Sequence, residues 1–427
     1  MTTADVLGDL ERRGLLYQVT DREGFARHLA GGQRLVYGGF DPTADSLTIG
    51  NLVPALLLRR FQLAGHRPVA LVGGGTGLIG DPSGKDAERA IKSPADVRHN
   101  VERIRKNLEQ VLDFQGPQGA LLVDNGDWLC KLSYIEVLRD VGKHFSVNMM
   151  IQKDSVRERL QNREQGISYT EFSYMLLQAY DFLHLYRAHG VTAQIAGSDQ
   201  WGNTVAGIDL IRRTERAETF GMTAPLITKA DGGKFGKTES GAVWLSPERT
   251  SPYEFYQFWL NVSDDDAKRF LHVYTLLSVP DIERLVAEHD AEPAARTAQR
   301  ALATQVTELV HGPSGLAKAE AATRALFSGD VRGLDEATLR ELFANTPAQT
   351  LPKGRLVTPG VPAVDLLVEG GVVKSKREAR DFLGQGAISV NGERASEASV
   401  YTDSALLFGE MLLVRRGKKS WHVLRFL

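Results

Sequence analysis

Tyr174, Gln178 and Asp181 recur at i, i+4 and i+7 in the run Thr170 to Phe182, interleaved with Phe172, Met175, Leu176 and Phe182. That spacing puts three polar side chains on one face of a helix whose other residues call for burial. A polar stripe on a buried helix needs partners, either in an internal hydrogen-bond network or in a polar ligand. Further along, Lys234-Phe235-Gly236-Lys237-Thr238 follows Ala230-Asp231-Gly232-Gly233. Two lysines and a hydroxyl in a glycine-rich segment suit a mobile loop that closes over phosphate oxygens, although a lone lysine pair is usually a solvated turn. Gly75-Thr76-Gly77-Leu78-Ile79-Gly80 has the G-x-G-x-x-G dinucleotide spacing after a strand, which would mean nicotinamide or flavin chemistry. Its context fails, because that motif must open a helix that holds the pyrophosphate and Asp81-Pro82-Ser83-Gly84 comes next. Two near matches to the Walker sequence fail on spacing: Gly80 is one residue too close to Gly84-Lys85, and Asp231 stands where Gly236-Lys237-Thr238 would need its first glycine.

The elements that must carry these residues read as an α/β protein. Short apolar runs alternate with helical patterns through the first half, as in a doubly wound parallel sheet. Arg34 to Tyr37 reads as a strand ending in Gly38-Gly39, Leu52 to Ala64 as a helix stopped by Gly65, and Pro68 to Val72 as a strand ending in Gly73-Gly74-Gly75. Ser93-Pro94 caps a helix with the stripe Val97, Val101, Ile104, Leu108 and Val111. Ala120 to Val123 is a further strand, and Ala193 to Ile195 runs into Gly197-Ser198-Asp199-Gln200 before a helix from Asn203 to Arg213. Three strands therefore end in glycine-rich polar turns, and in an open parallel sheet ligands sit beyond those carboxyl ends. Pro252 to Phe327 is mainly helical.

Composition narrows the class. The chain has 427 residues, 42% of them hydrophobic and 24% charged, with net charge −2, which excludes wholesale disorder and fibrous repeats. No apolar run reaches the roughly 18 residues needed to cross a bilayer, and the acids and arginines of Met1 to Gln18 do not read as a signal peptide, so a cytoplasmic address and no membrane are expected. The single cysteine, Cys130, excludes an internal disulfide and a zinc cluster of cysteines, and the ten histidines lack the paired spacings of metal sites, so no metal site is expected. Lys353 to Leu427 carries 12 basic and 8 acidic residues, net +4, which leaves the preceding residues at −6. In that tail Lys374, Lys376, Arg377 and Arg380 cluster on a predicted helix, Ile388-Ser389-Val390-Asn391-Gly392 reads as a strand and turn, and Arg415-Arg416-Gly417-Lys418-Lys419 adds a second basic patch. Two such patches in an otherwise acidic chain favour contact with RNA phosphates. The Pro/Thr/Gly-bearing stretch Asn345 to Pro362 before them has the composition of a linker.

Taken together, five segments resemble the bacterial tyrosyl-tRNA synthetases, a family of class I aminoacyl-tRNA synthetases. They are Tyr37-Gly38-Gly39-Phe40-Asp41-Pro42-Thr43-Ala44-Asp45-Ser46-Leu47, the glycine run to Gly84, Thr170 to Phe182, Gly197-Ser198-Asp199-Gln200-Trp201-Gly202-Asn203 and the Lys234 loop. The resemblance spans nearly the whole chain in the right order. It implies a catalytic α/β domain over 1–225, a mobile lysine-rich signature loop and linker over 226–250, a helical tRNA-binding domain over 251–345, a linker over 346–360 and a small α+β RNA-binding module over 361–427. It also implies L-tyrosine, ATP with Mg²⁺ and tRNA(Tyr) as the molecules bound, no zinc, and a homodimer.

The reaction so implied is attack of the tyrosine carboxylate on the α-phosphorus of ATP, followed by transfer to the terminal ribose of tRNA. A carboxylate is already ionised at neutral pH, so the first step asks for positioning and cations rather than a general base. By the resemblance, Tyr174, Gln178 and Asp81 hold the tyrosine amino group, Asp181 and Tyr37 read its phenol, and Gln200 joins that pocket. Gly39, Asp41, Gly197, Asp199 and Lys237 serve ATP. Thr43, Lys85, Arg89, Lys234, Lys237 and Thr238 face the phosphates, and Lys234 to Thr238 stands for the family's Lys-Met-Ser-Lys-Ser loop. The family's His-Ile-Gly-His signature appears as Thr48-Ile49-Gly50-Asn51, and both Thr48 and Asn51 are expected to donate hydrogen bonds in place of the histidines. Gly38 and Ala196 are further departures from the pattern. Two rival readings are a tryptophan-specific relative, disfavoured by the phenol-suited pair Tyr37 and Asp181, and a non-catalytic RNA-binding paralogue.

Overall fold

The computed structural model describes residues 5–80, 92–152, 156–157, 167–233, 235–238, 241–344, 346–417 and 420–427, with the backbone alone at 237 and 238. Two compact units divide it, Met1–Gly312 and Pro313–Leu427. The first is built on a six-stranded sheet of β1 (Gln18–Val19), β2 (Leu35–Phe40), β3 (Arg67–Val72), β4 (Leu121–Asp124), β5 (Val191–Gly197) and β6 (Phe220–Ala224), in the order β1-β6-β5-β2-β3-β4. Every pairing is parallel except that of the short edge strand β1 with β6. Val69, Ala70 and Val72 of β3 are fully buried, the continuous apolar run expected of a parallel strand covered on both faces. β2 lies between β3 and β5, so the crevice beyond its carboxyl end opens where chain connections diverge to either side.

Among the helices of this unit are α1 (Val6–Arg12), α2 (Arg22–Ala30), α3 (Ile49–Leu63), α4 (Pro94–Val111), the single turn α5 (Gly126–Leu129), α6 (Tyr169–His189), α7 (Trp201–Glu215), α8 (Pro252–Leu260), α9 (Asp264–Tyr274) and α10 (Val279–Ala291). α6 starts where the Ser168 hydroxyl accepts the Glu171 N–H at 3.2 Å and stops at Gly190, whose φ of 72° is the left-handed cap. Its apolar residues Met175, Ala179, Phe182 and Leu183 form one buried cluster with Tyr37, Val69 and Leu71 of the sheet. Residues 76–78 form one 3₁₀ turn rather than a helix, consistent with rejecting a dinucleotide fingerprint there. A long helix, α11 (Thr297–Ser328), is broken at Gly312, where φ 70° and ψ 176° leave helical geometry just before Pro313. The helices from 252 to 312 thus share a compact unit with the sheet. No helix among the described residues is long and apolar enough to cross a membrane.

In the second unit β9 (Ala348–Leu351), β11 (Ile388–Val390), β12 (Glu393–Arg394), β14 (Met411–Arg416) and β15 (Ser420–Phe426) form a sheet in the order β12-β11-β14-β15-β9. The remaining short strands are β7 (Lys237–Thr238) with β8 (Gly241–Ala242) in the first unit, and β10 (Val361–Pro362) with β13 (Val400–Tyr401) in the second. Helices α12 (Glu336–Leu342), α13 (Ala363–Glu369) and α14 (Lys376–Gly384) complete the second unit. The stretch expected to be a linker instead supplies β9, which pairs in parallel with β15 from Val423↔Ala348 to Phe426↔Leu351. Ala348, Gln349 and Thr350 are exposed on this edge, which is why their composition resembles that of a linker.

Candidate active site

At the carboxyl end of β4, beside β3, Asn125 is fully buried. Its Nδ2 donates to Asp181 Oδ2 at 2.9 Å and to Thr76 Oγ1 at 3.0 Å, while its Oδ1 accepts the Gly75 N–H at 2.8 Å. The second Asp181 oxygen accepts from Trp128 Nε1 at 2.8 Å. The carboxyl group is thereby held from two directions, by Asn125 of the β4–α5 turn and Trp128 of α5. Burial outweighs these donors and raises its pKa to about 7, with the charges of Asp41 and Asp124 pushing the same way. Tyr37 sits on β2 with its ring 5.1 Å from that of Phe182. Its hydroxyl is buried and has no hydrogen-bond partner among the described residues, and burial together with the Asp181 charge raises its pKa well above the usual phenol range. An unpartnered buried hydroxyl within reach of a carboxylate's field is a socket suited to a polar ligand group.

A second cluster lies where β5 meets α7. Asn203 Nδ2 donates to Gln178 Oε1 at 2.9 Å and to Gln200 Oε1 at 3.0 Å, which fixes both amides while each oxygen keeps a second lone pair, and Gln200 Nε2 donates to Asp199 Oδ2 at 3.4 Å. Tyr174, one turn before Gln178, is buried. On β2, Gly39 is exposed with open space where a side chain would stand, whereas Gly74 must lack one because its Cβ would collide with the Asp124 carboxylate. That carboxylate accepts from the Gly74 and Gly126 N–H groups at 3.0 and 2.8 Å. Asp41 is half-buried and Thr43 exposed past the end of β2, while Gly197 and Asp199 stand at the end of β5, half-buried and exposed respectively.

The first turn of α3 shows how the Thr48 and Asn51 pair is built. Asn51 Oδ1 accepts from both the backbone N–H of Thr48, at 3.1 Å, and its hydroxyl, at 2.9 Å. The threonine hydroxyl hydrogen is therefore committed to asparagine, and Asn51 Nδ2 is the donor left for a ligand. This turn is stitched to the segment that follows the lysine loop: Ile49 N–H donates to Val243 O at 3.1 Å and Leu245 N–H to Leu47 O at 2.8 Å. Asn107 and Ser46 reinforce the junction, because Asn107 Oδ1 accepts the Leu47 N–H at 2.9 Å and Ser46 Oγ accepts the Ser246 N–H at 3.0 Å.

Asp81, Lys85, Arg89, Lys234, Lys418 and Lys419, with the side chains of Lys237 and Thr238, lie outside the described residues. In the second unit Lys374, Lys376, Arg377 and Arg380 are exposed, Lys374 just before the Ser375 cap of α14 and the other three on it. Lys376 pairs with Asp365 at 2.7 Å and Arg380 with Glu397 at 3.9 Å. Arg415 lies over the Trp421 ring at 5.3 Å, and Arg416 lies over Phe382 while donating to Val372 O at 3.0 Å. Sequence reasoning overlooked Asn125, Trp128 and Asn203. The polar turn Asp124-Asn125-Gly126 after a strand was a signal for the first, since it ends a fourth strand as the glycine turns end three others.

Residues 31–328 match the family model described as tRNA synthetases class I (W and Y), and residues 339–424 match the tyrosine–tRNA ligase SYY-like C-terminal domain. The tyrosine–tRNA ligase of Yersinia pseudotuberculosis serotype O:1b (strain IP 31758) is 48% identical over 438 residues, covering all of both chains. That of Bacillus caldotenax is 51% identical over 425 residues, covering 99% of this chain and 100% of the relative. Among solved structures, a C-terminally truncated Aspergillus nidulans mitochondrial tyrosyl-tRNA synthetase superposes with a TM-score of 0.69 at 29% identity, covering 75% of this chain and 94% of its own.

Proposed function

We propose a function from membership: the chain belongs to the class I tRNA synthetases of the tryptophan and tyrosine type. It is a tyrosine–tRNA ligase, which joins tyrosine to ATP as tyrosyl-adenylate and then passes the amino acid to tRNA. The observation that carries the choice of tyrosine is the presence, in one buried pocket, of an oriented Asp181 carboxyl and a Tyr37 hydroxyl without a partner among the described residues. A phenol offers one donor and one acceptor at a single oxygen, so it can satisfy both groups at once, and an indole or a phenyl ring cannot.

In the first half-reaction a carboxylate oxygen of tyrosine forms the bond to the α-phosphorus, and the bond to the β-phosphate breaks as its electron pair leaves with pyrophosphate. Our reading of the residues is that Tyr174, Gln178 and Asp81 receive the ammonium group, with Gln178 oriented by Asn203. Gly39 and Gly197 let the nucleotide approach the strand ends, where Asp41 and Asp199 accept from ribose hydroxyls. Asn51, oriented by Thr48, donates to ATP oxygens beside the cations Lys85, Arg89, Lys234 and Lys237, with Thr43 and Thr238 on the phosphate side. Mg²⁺ enters this scheme as part of the nucleotide substrate, carried by phosphate oxygens and water. The basic tail takes tRNA(Tyr), and the reaction belongs in the cytoplasm.

We also assign a homodimer. Tyr134, Ile135, Leu138, Val147, Met149 and Ile151 are large apolar residues, each at least 41% exposed, within one short stretch of the first unit. Contiguous apolar exposure of this kind suits a self-complementary contact with a second copy. Ile135→Glu should convert the dimer to a monomer in sedimentation. The ligase assignment is tested by tyrosine-dependent exchange of labelled pyrophosphate into ATP. Exchange with tyrosine and none with tryptophan is expected, and a folded protein without exchange would leave only RNA binding.

A further inference from the structure

Phe235 stands between the two lysines of the signature loop, and its ring is seated among four others. Its centroid lies 4.2 Å from Phe270, 5.4 Å from Phe258 and 5.7 Å from both Trp259 and Tyr274. The box is made by α8 and α9 and holds together without its guest, since Trp259 and Tyr274 are 4.7 Å apart and Phe258 and Trp259 5.2 Å. Trp259, Phe270 and Tyr274 are fully buried, whereas Phe235 is half-buried. The loop is pinned on either side of this ring as well. Ala230 N–H donates to Asp266 Oδ1 at 2.8 Å, and the Arg269 guanidinium reaches the Thr228 carbonyl. At Gly236, with φ 91°, the chain reverses, its carbonyl accepts the Val243 N–H at 3.1 Å, and a Cβ would stand 3.3 Å from Ile49 Cγ1. The box is tied in turn to α3, because the buried Arg60 donates from Nη2 to the carbonyls of Val273 and Thr275 at 2.9 and 2.8 Å, where α9 ends.

We propose that Phe235 is a positioning residue for adenylate formation: its seat in the α8–α9 box fixes the backbone from which Lys237 reaches toward the phosphates beside the first turn of α3. The Lys237 ammonium and the Asn51 amide then bear on the same phosphates. The proposal rests on the reading of this loop as a phosphate-binding element. Lysine is a point charge on a flexible stem, so its worth in the transition state depends on where the backbone holds it. An apolar seat between the two lysines supplies that hold without competing for their charges.

The test is the single-turnover rate of tyrosyl-adenylate formation, with equilibrium tyrosine binding, in Phe235→Ala, Phe235→Leu, Lys237→Ala and the Phe235→Ala/Lys237→Ala double variant. Phe235→Ala should slow the step about tenfold or more with tyrosine affinity within about twofold, and Phe235→Leu, which refills the box, should recover most of the rate. Since Phe235 acts through Lys237, the double variant should be no more than about twofold slower than Lys237→Ala alone. A Phe235→Ala rate within about twofold of the parent, or losses that multiply in the double variant, would overturn the positioning role. If Lys237→Ala itself leaves the rate unchanged, the phosphate-binding reading of the loop falls, and this inference with it. A slowed Lys237→Ala beside an unaffected Phe235→Ala removes the inference alone.

Discussion

Asp181 combines full burial with two directed donors, and the balance leaves its carboxyl titrating near 7 against an ordinary 3.8. Between those values the folded protein holds a proton that the unfolded chain has lost. Stability should therefore fall as pH rises from about 4 to 7, by up to about 1.4 kcal/mol per unit, and level off above. Asp181→Asn should flatten that slope in denaturant unfolding across the window; an unchanged slope would mean the carboxyl stays ionised. Tyr37→Phe removes a hydroxyl that has no partner among the described residues, so stability should hold or rise. Preference for tyrosine over phenylalanine, measured as a ratio of kcat/KM, should narrow by roughly three- to tenfold, the worth of one neutral hydrogen bond. Thr48 and Asn51 differ in kind: the asparagine NH₂ is free to donate, and the threonine hydroxyl orients it. Asn51→Ala should slow adenylate formation more than Thr48→Ala, and the reverse order would contradict the bonding between them.

Arg60 shows how far an element can depend on one side chain. It is fully buried on α3, burial lowers its pKa to about 9, and its Nη2 reaches three carbonyls, those of His272, Val273 and Thr275. These are end carbonyls of α9, where a cation also complements the helix dipole. Arg60→Met should cost about 2–4 kcal/mol in chemical unfolding, because the acceptors lose their donor in a dry site. A cost under 1 kcal/mol, as at a typical surface position, would show that the contact is replaceable. A sequence reader meets Arg60 as one more charge near a helix end, since its acceptors lie more than 200 residues away. The strands and α6 were legible for the opposite reason: their periods of burial and their caps are written within a dozen residues. The edge strand β9 was not, because a strand exposed along most of its length carries no alternation to read.

The two units set the cut for a test at the scale of the molecule. Since β9 belongs to the tail sheet, a chain ending at Gly312 divides the protein at its own boundary, where one ending near Thr350 would leave β9 without its partner. We expect the shorter chain to support tyrosine-dependent pyrophosphate exchange and to charge tRNA poorly, as measured by aminoacylation. Loss of exchange in a folded fragment would show that adenylate formation needs the tail. For this protein the sequence by itself determined the α/β class, the strand ends that face a ligand, the polar stripe on α6 and the lysine-rich loop. Each rests on local periodicity or on a short run of residue types. Only the tertiary structure decided that Asn125 and Trp128 hold Asp181, that Asn203 joins Gln178 to Gln200, that Thr48 serves Asn51, and that Phe235 is seated between α8 and α9. Most of those pairings join residues 25 to more than 50 positions apart, which no short window along the chain contains, and even the pairs three apart depend on side-chain directions that residue types alone do not fix.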